Sequence, residues 1–122
     1  MTDAVEHFNR GVDAYKSGDI DTAVQELETA TQLDHQNYKA FSFLGAAYAA
    51  KQRFNAAIGA LKTAEQIAPG IASIHFNIAQ AYEAAGMLNE AEYEYDTALQ
   101  LDPNYTKAKE SLDRIKKKLD HI

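Results

Sequence analysis

Apolar residues recur three and four apart through most of this chain. Ile20, Ala23, Val24, Leu27, Ala30 and Thr31 make one stripe, and Phe41, Leu44, Gly45 and Tyr48 make another. That spacing puts each set on one face of an amphipathic helix. Short turn signals separate the stripes: Ser-Gly-Asp at 17–19, Lys-Gln-Arg at 51–53 and Ala-Gly-Met at 85–87. Gly18 and Gly86 suit left-handed C-caps, and Gln52 stands where the other turns have Gly. Asp19 suits the N-cap of the helix that follows. The predicted elements are antiparallel helix pairs, each helix about 13–14 residues long.

One stretch competes with this reading. Glu-Tyr-Glu-Tyr at 92–95 alternates with period 2, as a half-buried strand does. A longer register decides the matter. Shifted by 34 residues, the chain aligns with itself in many columns. Gly11, Gly45 and Ala79 coincide, as do Ala23, Ala57 and Ala91, and Ala30, Ala64 and Ala98. Larger columns are Ile20, Phe54 and Leu88; Leu27, Leu61 and Tyr95; and Leu33, Ile67 and Leu101. Tyr48 aligns with Tyr82, and Pro69 with Pro103. Such repetition marks a stack of identical supersecondary units. Tyr95 then falls in a core column and Tyr93 in the column of Gln25 and Gly59, so one is expected buried and the other exposed. The small columns have a physical reason, since two helices approach closely only where side chains are short.

A small residue in the first helix, an aromatic three residues on, a small-large-small run in the second helix and a closing Pro together resemble the tetratricopeptide repeat family. Gly45, Tyr48, Ala57, Leu61, Ala64 and Pro69 form this pattern once, and Ala79, Tyr82, Ala91, Tyr95, Ala98 and Pro103 form it again. The first unit departs from it: Ala14 replaces the aromatic, His35 the Pro, and Arg10 an apolar residue. A polar outer face suits a unit with no neighbour before it. The resemblance implies an all-α, right-handed superhelical solenoid in a single domain. Its units are 4–37, 38–71 and 72–105, with a capping helix at 106–122, seven helices in all. In the cap, Ala108, Leu112 and Ile115 share a face, and Asp113 falls in the small column, where a close-packed partner helix would not tolerate it.

Composition narrows the function. The 122 residues are 46% hydrophobic and 25% charged, ordinary values for a globular chain. No Cys is present, which excludes disulfides, thiolate metal sites and cysteine nucleophiles. The formal net charge of −6 disfavours nucleic acid and anionic membranes as partners. No apolar run approaches the roughly 20 residues of a membrane span, and the first residues lack the pattern of a signal peptide. A cytoplasmic location is the simplest expectation. Charge alternates by unit: net −6 over 1–37, +3 over 38–71, −6 over 72–105 and +3 over 106–122.

No phosphate loop, nucleophile motif or helical His pair occurs, so no enzyme, cofactor or metal is expected. His7 and His75 share a column two units apart, too far to share a metal, and are read as half-buried packing. Glu90, Glu92, Glu94 and Asp96 point in successive directions around a helix and are read as a solvated face.

In the family it resembles, the first helix of each unit lines a concave groove that holds a peptide or partner segment. Carried over by register, that groove comprises Val5, Phe8, Val12 and Tyr15; Lys39, Ser42, Phe43 and Ala46; Ser73, Phe76, Asn77 and Gln80; and Lys107 and Arg114 of the cap. Phe8, Phe43 and Phe76 are either exposed anchors or wedges between neighbouring helices. Some family members grip chaperone C-termini with a Lys/Asn/Arg carboxylate clamp. The matching positions here hold Phe8, Val12, Phe43, Ser73 and Asn77, so no clamp is expected. The implied function is a protein-interaction module. Homo-oligomerisation through the groove and cap is the competing expectation.

Overall fold

The computed structural model describes residues 3–121, and within them every regular element is helical. The helices are α1 (Ala4–Ser17), α2 (Ile20–Leu33), α3 (Tyr38–Ala50), α4 (Phe54–Ile67), α5 (Ala72–Ala84), α6 (Leu88–Leu101) and α7 (Thr106–Asp120). The alternating tyrosines therefore lie in α6, and the strand is absent. The chain groups into two compact units, one holding α1 to α4 and ending at Ala68, the other holding α5 to α7 and beginning at Pro69. In the first, α1 pairs with α2, α3 pairs with α4, and α2 packs on α3. In the second, α5 pairs with α6 and α7 packs on α6.

Local chemistry explains the boundaries. The carboxylates of Asp3 and Asp19 accept from the backbone N–H of Glu6 and Thr22, at 2.9 and 3.3 Å, and start α1 and α2. Asn37 does the same for α3 through the N–H of Ala40 at 3.1 Å. Each such cap satisfies a donor that the first helical turn leaves open. The three turns inside the helix pairs share one backbone device. Gly18, Gln52 and Gly86 all take positive φ, at 87°, 61° and 80°. Only Gln52 carries a Cβ there, so the 51–53 turn has the same geometry as its counterparts at a steric cost.

The pairs close on the small columns. Ala23, Ala57 and Ala91 are wholly enclosed, as are Ala64 and Ala98, and Ala30 is 1% exposed. A Cβ added to Gly11 would stand 2.6 Å from Cγ of Leu27, and one added to Gly45 would stand 2.6 Å from Cγ of Leu61. In the third pair Ala79 takes the glycine position and Tyr95 the leucine position, and both are fully buried. A planar ring leaves room for a methyl group where a branched Leu does not. The core of the second unit continues through Ala108, Leu112 and Ile115 of α7, the face read from the sequence. Asp113 is exposed, as its charge requires. No helix among the described residues is long and apolar enough to cross a membrane.

Two glycine substitutions separate close approach from helix propensity. Gly45→Ala is expected to destabilise by about 1–3 kcal/mol through overpacking against Leu61. Gly59, exposed within α4 with nothing within 4 Å of an added Cβ, should instead gain about 0.5–1 kcal/mol as Ala. Urea melts of the two variants measure both signs.

Candidate functional site

Of the residues carried over to the groove, the first unit brings one group together. Phe8, Val12 and Tyr15 fall four and three apart on α1, so they share a face. Phe43 of α3 stands between two of them. Its ring centroid lies 6.2 Å from that of Phe8 at an interplanar angle of 73°, and 5.9 Å from that of Tyr15 at 77°. Both are edge-to-face contacts, the favourable arrangement for aromatic quadrupoles. All three rings are half-buried. They wedge α1 against α3 and still show part of their surface to solvent. Val5, at the start of the same α1 stripe, is 63% exposed. Ala46 and Ser42 are half-buried on α3, and Lys39 is exposed. The hydroxyl oxygen of Ser42 is enclosed and has no hydrogen-bond partner among the described residues.

The second unit treats the corresponding positions differently. Phe76 is only 7% exposed, with its ring 5.0 Å from Tyr105 in a stacked contact and 5.7 Å from Tyr95. The exposed anchor considered at this position is instead a core residue, because Tyr105, just before α7, closes over it. Ser73 and Gln80 are exposed and Asn77 is half-buried on α5; Lys107 is exposed on α7. Arg114 is committed within the unit. It forks onto Glu83, donating from Nε to Oε2 at 3.0 Å and from Nη2 to Oε1 at 2.7 Å.

Glu83 is the centre of the polar network in this unit. Its side chain, 15% exposed, also accepts from the Tyr95 hydroxyl at 2.7 Å and from Nζ of Lys118 at 3.4 Å. It thereby joins α5, α6 and α7. Burial by itself pushes the Glu83 carboxyl up, but hydrogen bonds from Arg114, Tyr95 and Lys118 outweigh it and hold the group below the usual carboxylate range. The Tyr95 phenol is pushed up, first by burial and then by its bond to Glu83.

The first unit has a parallel device at another register. The Tyr48 hydroxyl donates to Oε2 of Glu28 at 2.5 Å, and the Arg53 guanidinium lies 4.7 Å above the Tyr48 ring. Burial, followed by the Glu28 bond, pushes the Tyr48 phenol up to about 12. Beside it, Lys51 pairs with Asp21.

Sequence reasoning read His7 and His75 as packing residues and missed their partners. Nδ1 of His7 lies 2.6 Å from Oε2 of Glu26, and Nδ1 of His75 lies 2.8 Å from Oε1 of Glu94. Glu94 is consequently not on a solvated face: its side chain is 14% exposed. The signal was present, because Glu26 and Glu94 share a column just as the two histidines do, and each pair is 19 residues apart. Among the described residues no group of three or more His, Cys, Asp or Glu is placed to hold a metal ion.

Models of the tetratricopeptide repeat match residues 8–72 and residues 72–105. The chain belongs to the tetratricopeptide repeat (TPR) family. Heat shock protein STI1 of Saccharomyces cerevisiae is 28% identical to this TPR chain over 113 residues, which is 92% of the chain but 19% of the STI1 length. The first TPR of Spaghetti (RPAP3), bound to the HSP90 peptide SRMEEVD, superposes with a TM-score of 0.91 at 23% identity, covering 96% of this chain and 93% of that one. The Yersinia enterocolitica type III secretion chaperone SycD, in complex with a peptide of the translocator YopD, gives 0.86 at 24% identity, covering 93% and 92%. At these identities the structural likeness establishes the fold, an all-α TPR solenoid.

The lowered Glu83 value fixes a pH dependence. Stability from this group is complete above the ordinary carboxylate value and is lost as pH falls through its lower folded-state value. Melting temperature should therefore keep the Glu83 contribution from neutral pH down to the ordinary carboxylate value and lose it as the pH falls further. Glu83→Gln should start lower at neutral pH and show a shallower acid limb. An unchanged acid limb would show that the network is not ionised as described.

Proposed function

We propose that this TPR chain is a non-catalytic protein-interaction module that holds a peptide or partner segment through apolar anchors. The observation that carries the reading is the Phe8, Tyr15 and Phe43 cluster on α1 and α3. Its edge-to-face contacts fix the rings before anything binds, so little side-chain entropy remains to be lost on binding. The half-buried rings and exposed Val5 offer an apolar surface that the helix pairs do not consume. The peptide complexes of the RPAP3 and SycD domains support a peptide as ligand. The SRMEEVD peptide ends in a carboxylate, and the residues here at the family's clamp positions are Phe8, Val12, Phe43, Ser73 and Asn77. These do not supply the cations of a carboxylate clamp, so the favoured segment is anchored by apolar side chains. Lys39, exposed on α3 beside this cluster, gives it a secondary preference for acidic character. The organisation in three units and a cap, 4–37, 38–71, 72–105 and 106–122, is part of the same proposal.

A randomised peptide library displayed on phage tests the reading. Selected peptides should carry apolar anchors and lose about tenfold or more in affinity with Phe43→Ala and with Val5→Asp. Val5→Asp should leave the melt unchanged, because the residue is exposed. Peptides that bind both variants as tightly as the natural chain would overturn the assignment. Sedimentation that shifts with concentration would favour self-association on this face instead.

A further inference from the structure

The core of the third helix pair is built from Tyr95, which leaves Tyr93 without a packing role. Tyr93 is 69% exposed, more than any other exposed large hydrophobic side chain of the described residues. It forms a ridge between two clefts. One, of about 430 Å³, is lined by Tyr82, Asn89, Glu90, Tyr93 and Glu94. The other, of about 320 Å³, is lined by Asn89, Glu92, Tyr93, Asp96, Leu112 and Lys116. Tyr93 and Asn89 are common to both.

We propose that this outer face of α6 is a second docking surface, which takes a basic segment by seating a Lys or Arg side chain against Tyr93 in the first cleft. The chemistry follows from what lines it. An aromatic face attracts an ammonium or guanidinium group, and a neighbouring carboxylate strengthens the attraction. Glu94 is bound to His75, so Glu90 is the carboxylate free to meet the cation in the first cleft. The second cleft sets Glu92 and Asp96 against Lys116, which leaves one carboxylate in excess, and Leu112, 7% exposed, shows it little apolar surface. The matching segment therefore seats a basic residue in the first cleft and is drawn, more weakly, by the carboxylates of the second.

Charge favours a basic occupant, since residues 72–105 contain six acidic residues and no Lys or Arg. Charge alone does not select this face. Residues 1–37 carry the same net −6, yet their one tyrosine, Tyr15, is half-buried against Phe43. A purely electrostatic partner would treat the two segments alike, whereas the ridge and its clefts single out α6. This surface lies on different helices from the aromatic cluster of α1 and α3, so either can fail without the other.

The test is an amide chemical-shift titration of the ¹⁵N-labelled chain with the blocked peptide Gly-Arg-Leu-Arg-Leu-Gly, alongside its Glu-Leu counterpart. Saturable shifts are expected at residues 88–97 for the Arg peptide alone. Tyr93→Ala, whose melt should match the natural chain, is expected to weaken binding about tenfold, while Tyr93→Phe retains it because the ring face remains. The proposal is overturned by any one of four results: shifts spread equally over the acidic residues of α1 and α2, equal binding of the Glu-Leu peptide, unchanged affinity with Tyr93→Ala, or no saturable shift at millimolar peptide.

Discussion

Close approach between the two helices of each pair is the constraint on which the rest of this protein depends. Gly11 meets Leu27, Gly45 meets Leu61, and Ala79 occupies the glycine position opposite Tyr95. A small residue on one helix admits a large residue from the other, and the large residue supplies most of the buried apolar area, about 1.5–3 kcal/mol for a Leu-sized side chain. Because that contact fixes the rotation of each helix, it also fixes which residues turn outward. Phe8 and Phe43 are free to form a partly exposed cluster because the interior of their pairs is already filled by Leu27 and Leu61. Tyr93 is free because Tyr95 is not.

Polar contacts refine what packing sets. Tyr48 with Glu28, Tyr95 with Glu83, and the two His–Glu pairs each join side chains from different helices across 12 to 20 residues. They satisfy groups whose burial would otherwise be costly. They also impose geometry, since an apolar stripe of Ala and Leu tolerates sliding and a hydrogen-bonded phenol does not. The Glu83 network is the fullest case, because it couples α7 to both helices of the preceding pair and occupies a cation, Arg114, that the repeat register alone would leave free for a partner.

Helix positions, turns and the family itself were legible in the sequence because each rests on a local or periodic signal. The contrast between Tyr95 and Tyr93 followed from the register, as did the buried face of α7, and Gln52 takes the left-handed conformation that its alignment with Gly18 and Gly86 suggests. The candidate site was less legible. Register says that Phe8 and Phe76 occupy equivalent places on a helix, but exposure depends on what stands opposite. Tyr105 covers Phe76, and among the described residues nothing equivalent encloses Phe8 to the same degree. Arg114 and Glu83 lie 31 residues apart, not in one column, so no periodicity links them. The His–Glu pairs were readable in principle, since both members recur at one spacing, but only if columns are compared in pairs.

The most direct test of the register is the paired truncation of the adjacent tyrosines of α6, measured by urea melts. Tyr95→Ala removes a fully buried ring opposite Ala79 and should destabilise by about 3–5 kcal/mol. Tyr93→Ala, two residues away, should change stability by less than about 0.5 kcal/mol. Equal losses for the two variants would contradict the helix-pair register on which the buried and exposed faces of α6 rest.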